Sequence, residues 1–174
     1  ALCGIRHSLQ AENLMAAALK KTGSREFQDL SFVPALEALS RSADQEAQLH
    51  PLGRRVIRNR LIDILATRLR VEALVKQHPE ILEIEIQPPL VIAGLQRTGT
   101  TMLHRLLAAD PDNRALLSWE AISPMPHPRQ KSGARDKRIG MAETAEKGLA
   151  YLAPEFFRIH PVEAEAPEED VLLM

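Results

Sequence analysis

Between Leu90 and Leu107 the sequence sets a short apolar run, a glycine-bounded loop and an amphipathic stretch in immediate succession. Leu90-Val91-Ile92-Ala93 is fully apolar and partly β-branched, as suits a buried parallel strand. Gly94-Leu95-Gln96-Arg97-Thr98-Gly99-Thr100-Thr101 follows, and Met102, Leu103, Leu106 and Leu107 then fall on one helical face. Strand, glycine loop and helix together form an arrangement that binds phosphate. Backbone N–H groups of the loop and first helical turn point at the anion, and the helix dipole adds to the attraction. A chain with this segment is expected to be α/β, a P-loop-NTPase-like parallel sheet flanked by helices.

The glycine spacing matches the pattern G-x-x-x-x-G-K-[ST], but the lysine position holds Thr100 and the cation sits inside the loop as Arg97. In an ATPase that lysine reaches the β- and γ-phosphates while the next hydroxyl holds Mg²⁺. One cation and two threonine hydroxyls suit a single terminal phosphate better. Two rival readings stand beside this one: a nucleotide kinase with a degenerate loop, and a non-catalytic module whose loop is a relic.

Residues 1–80 read as a helical segment. Leu9, Leu14, Leu19 and Ala16 to Ala18 outline one helix stopped by Gly23. Phe32 to Leu39 suggests a second, with Pro34 in its first turn. The longest runs from about Leu52 to Gln77, where Ile57, Leu61, Leu65 and Leu69 recur every four residues and Pro79 ends the pattern. Its polar side carries Arg54, Arg55, Arg58, Arg60, Arg68 and Arg70, read as a solvated face rather than a partner-binding one. Residues 81–174 read as the N-terminal part of the α/β domain. Glu83 to Ile86 alternates like a half-exposed strand, and Ala115 to Trp119 suggests another. Asp110-Pro111-Asp112-Asn113 is a turn, a helix is expected from roughly Arg135 to Leu152, and Pro167-Glu168-Glu169-Asp170 opens one more. The chain opens on Ala1 without an initiator Met and stops at Met174 inside an apolar run, so the domain reads as incomplete.

Pro89 to Pro111, with Arg97-Thr98-Gly99-Thr100-Thr101 at its centre, and then Arg114 to Glu120, resemble bacterial PAPS-dependent sulfotransferases. These use an Arg-[ST]-Gly-[ST]-Thr loop where the cytosolic steroid and phenol enzymes have Lys-Ser-Gly-Thr-Thr. Tyr151 to Phe157 and His160 to Asp170 resemble the same group, in which Cys is common at the position of Asp170. The resemblance implies transfer of a sulfuryl group from PAPS (3′-phosphoadenosine 5′-phosphosulfate) to an acceptor hydroxyl. Arg97 is then expected between the 5′-phosphate and the bridging oxygen, stabilising charge on the leaving group. Thr98, Gly99, Thr100 and Thr101 bind the same phosphate, and Glu120 takes the acceptor proton.

Each residue also has a plainer reading. Glu120 is alternatively an ion-pair partner or helix cap. His160 is a rival base or a structural residue before Pro161. Trp119 is a core or pocket wall, or a stacking residue, and His104 belongs on the surface. His50, His78 and His127 precede prolines without metal-ligand spacing, and Glu163, Glu165, Glu168, Glu169 and Asp170 form an acidic surface; no metal is expected. The 174 residues carry a net charge of −1 and only 3% aromatics, which excludes a general nucleic-acid binder. No apolar run is long enough for a membrane span, and one cysteine, Cys3, fits a reducing compartment. A cytoplasmic enzyme acting on a small-molecule or glycolipid hydroxyl is the expectation.

Overall fold

The computed structural model describes residues 8–95, 98–126 and 130–170. Its helices are α1 (Ala11–Thr22), α2 (Val33–Gln45), α3 (Pro51–Gln77), α4 (Thr100–Ala108), α5 (Ser118–Ile122), α6 (Lys137–Leu152) and α7 (Phe156–Ile159), with a 3₁₀ turn at Pro79–Glu83. The chain divides into two compact units, Ala1–Glu85 and Ile86–Met174.

In the first unit α1 lies along α3 and α2 packs against α1. The stripe Leu61, Ile62, Leu65 and Leu69 of α3 meets Leu14 and Ala18 of α1, with Leu36 of α2 and Phe27 completing the core. Burying each such leucine is worth about 1.5–3 kcal/mol relative to leaving it exposed. α1 stops where expected: Gly23 takes φ 74° and its N–H bonds the Leu19 carbonyl at 2.9 Å. That left-handed turn is easy only for glycine. α3 starts with Pro51 at its first position, and His50 accepts from the Leu52 amide at 3.4 Å. α2 runs past the expected Leu39 to Gln45, because nothing in Ser40 to Gln45 interrupts helical geometry.

The basic side of α3 is not simply solvated. Arg54 pairs with Asp44 of α2, its side chain only 12% exposed. Arg68 pairs with Asp29 and lies 4.7 Å over the Phe32 ring. Two of the six arginines therefore tie α3 to the α1–α2 side of its own unit.

The expected parallel sheet is absent: the described residues contain no strand, and the fold is helical. The one β pairing among them is an isolated antiparallel bridge between Leu117 and Pro167. Leu90 to Ala93 has no regular secondary structure and pairs with nothing described, and Leu90 and Val91 are exposed. A strand exists only through hydrogen bonds to a neighbour; apolar character alone does not supply one. Glu83 to Ile86 fails for the same reason, Glu83 closing the 3₁₀ turn instead. Ala115 to Trp119 keeps only its middle residue in β pairing, since Ser118 and Trp119 begin α5. Of the expected helix start Pro167 to Asp170, Pro167 is in the bridge, the Glu168 amide bonds the Leu116 carbonyl at 2.9 Å, and 3₁₀ geometry begins only at Asp170; residues 171–174 lie outside the described residues.

Candidate functional site

The phosphate-binding candidate is the turn from Gly94 into α4. Gly99 adopts φ 90°, so the chain reverses there at little steric cost and enters α4 with the Leu103 amide on the Gly99 carbonyl at 3.0 Å. No described side chain caps this N-terminus. The first-turn amides of a nine-residue helix are thus left facing outward with the positive end of its dipole. The Thr98 hydroxyl donates to the Leu95 carbonyl at 2.6 Å, which closes the loop on itself and leaves its oxygen lone pairs free to accept. Gly94 is required by close approach: a Cβ there would lie 2.8 Å from the Thr100 methyl and 3.0 Å from the Thr98 hydroxyl. Thr98 and Thr100 therefore fold back over Gly94. Arg97, the expected cation of the loop, lies with Gln96 outside the described residues.

Glu120 sits on α5, its side chain 17% exposed. One carboxylate oxygen accepts from Arg114 at 2.6 Å and the other from the Leu117 amide at 3.0 Å. Both plainer roles, ion pair and helix cap, are thus present. They leave each oxygen a second lone pair for an incoming hydroxyl. α5 itself is anchored from outside. The Ser118 and Trp119 amides bond the Ala166 and Ala164 carbonyls at 2.9 and 3.0 Å.

Trp119 is half-buried, and the Arg138 guanidinium lies 4.4 Å over one face of its ring. Sequence reasoning missed Arg138 and Arg114. The only available signal was Asp136-Lys137-Arg138, an acidic cap followed by an arginine at a helix start. His160 faces Glu168 at 3.7 Å and the Phe156 ring at 5.7 Å, and His104 is half-buried on α4. His50 is spent on capping α3 and His78 pairs with Glu80, while His127 lies outside the described residues. The acidic stretch is engaged with arginines: Glu163 with Arg105 at 2.8 Å, Glu165 with Arg135 at 2.6 Å. Arg135 holds its proton more tightly for this, through Glu165 first and then Glu143. Among the described residues no group of three or more His, Cys, Asp or Glu side chains is placed to hold a metal, and no helix is long and apolar enough to cross a membrane.

The sequence profile described as "Sulfotransferase family" matches residues 88–174, which contain this whole site. The crystal structure of the sulfotransferase STF1 from Mycobacterium tuberculosis H37Rv superposes with a TM-score of 0.67 at 30% identity. That match covers 97% of this chain and 47% of the mycobacterial one, so the chain spans about half the length of this relative. No curated protein matches.

Proposed function

Since the chain belongs to the sulfotransferase family, we propose that its protein transfers a sulfuryl group from PAPS to an acceptor hydroxyl and releases PAP. The observation that carries this reading is the Gly94–Thr101 turn, whose two glycines and folded-back threonines lead into a helix N-terminus uncapped by any described side chain. Such a turn fits one terminal phosphate, and it lacks the lysine that a triphosphate needs.

In the proposed reaction an acceptor oxygen forms a new bond to sulfur. The bond from sulfur to the bridging oxygen breaks, and its electron pair leaves on the 5′-phosphate of PAP. The acceptor proton passes to Glu120, whose carboxylate is oriented by Arg114 and the Leu117 amide. Arg97, from its place in the loop, neutralises charge growing on the leaving group, while Thr98, Gly99, Thr100 and Thr101 hold the phosphate. The acceptor is proposed to be a small-molecule or glycolipid hydroxyl, and the setting the cytoplasm, which suits the lone Cys3.

Thermal shift on the protein at its full encoded length tests the donor site. PAP is expected to raise the melting temperature, Mg-ATP to leave it unchanged, and Arg97→Ala to abolish the PAP effect. Stabilisation by Mg-ATP alone would overturn the reading in favour of a nucleotide kinase.

A further inference from the structure

Glu120 rides on a helix of only five residues, too short to hold its own orientation. The side chain that fixes its far end is Arg138. Its Nη1 donates to the Ser123 carbonyl at 3.0 Å and the Pro124 carbonyl at 3.3 Å, closing the C-terminus of α5. Its Nε and Nη2 grip the Asp136 carboxylate at 3.1, 3.1 and 2.8 Å. Its flat face covers Trp119, the residue next to Glu120, at 4.4 Å. The side chain is 13% exposed, so these contacts form largely out of water, where charge-assisted bonds and cation–π attraction are strongest. Asp136 also accepts from the Arg138 amide at 2.9 Å and so caps α6. One Asp–Arg pair therefore finishes α5 and starts α6, and the two helices pack together.

We infer that Arg138 is a positioning residue for sulfuryl transfer: it holds α5 so that the Glu120 carboxylate meets the acceptor hydroxyl. This rests on the reading of Glu120 as the base. The planar fork is essential to it, because a lysine cannot bond Asp136 bidentately and reach both carbonyls while lying flat on the indole.

The test uses the protein at full encoded length, with PAP release from PAPS followed using p-nitrophenol as acceptor and water in its absence. Arg138→Lys is expected to lower kcat about tenfold, the scale of a modest misplacement of a catalytic group. The PAP-induced thermal shift should stay unchanged. In an Arg138→Lys, Glu120→Gln double variant, turnover should fall no lower than in Glu120→Gln alone. Trp119, if it remains the one tryptophan at full length as it is in this chain, would show redder emission and easier acrylamide quenching in Arg138→Lys. Asp136→Asn keeps a capping side chain and should reproduce these effects more weakly, which covers the case in which the lysine variant misfolds. Wild-type turnover by both single variants, an additive double variant, or an unchanged Trp119 signal would each overturn the inference. Wild-type turnover by Glu120→Gln would instead remove the base, with the Trp119 signal still deciding whether Arg138 holds α5.

Discussion

Gly94 and Thr100 constrain each other. The threonine methyl occupies the space a side chain at 94 would need, at 2.8 Å from an ideal Cβ. Gly94→Ala is therefore expected to push Thr100 away from the helix N-terminus and to reduce PAP-induced stabilisation strongly. Thr100→Ser in the same chain removes the methyl while keeping the hydroxyl, and should restore part of that stabilisation. A Gly94→Ala protein that binds PAP like the parent, measured by calorimetry, would show that the loop does not need this close approach. The need for glycine at 94 and 99 was legible in the spacing alone. What Glu120 touches was not: the Arg114 contact depends on how residues 114 to 117 turn into α5, and no periodicity encodes that turn.

The helices of the first unit were readable because their signals are local. Every fourth residue of α3 is apolar, Gly23 ends α1 and Pro51 begins α3. Their energetics divide by face. Leu65→Ala, at a site 4% exposed, is expected to cost about 2–5 kcal/mol of unfolding free energy. Val56→Ala, on the same helix but 55% exposed, should stay within about 0.5 kcal/mol. Urea titrations of the two variants check this, and equal losses would mean the stripe has been misassigned. The strand expectations failed for a reason of the opposite kind. Whether Leu90 to Ala93 becomes a strand depends on a partner elsewhere, and the described residues provide none. Alternation and apolar content report what a segment tolerates, while pairing reports what its neighbours offer. The arginines of α3 illustrate the same limit: a basic stripe looks solvated until Asp29 and Asp44 are brought to it from other elements.

At the scale of the molecule, apolar burial is uneven. The large buried apolar side chains belong to residues 9–69, whereas the buried apolar residues described beyond residue 86 are the alanines Ala121, Ala142 and Ala164. There Leu90, Leu95, Met102, Leu106, Tyr151 and Leu152 are exposed, and order rests in part on pairs such as Arg105–Glu163 and Arg135–Glu165. Exposed ion pairs contribute about 0–1 kcal/mol each and weaken with salt. Amide hydrogen exchange on this chain is accordingly expected to be slowest in Leu61 to Leu69 and faster in α4 and α6, and added salt should widen the difference. Uniform protection along the chain would contradict that ranking.

The Asp136–Arg138 pair bears on evolvability as well as on geometry. Because Arg138 reaches back to Ser123 and Pro124, and Gln130 bonds forward to the Lys137 amide at 3.1 Å, the spacing of α5 and α6 is set by side chains rather than by the length of chain between them. A change in the length of chain between Pro124 and Gln130 is therefore expected to leave the helix that bears Glu120 in place.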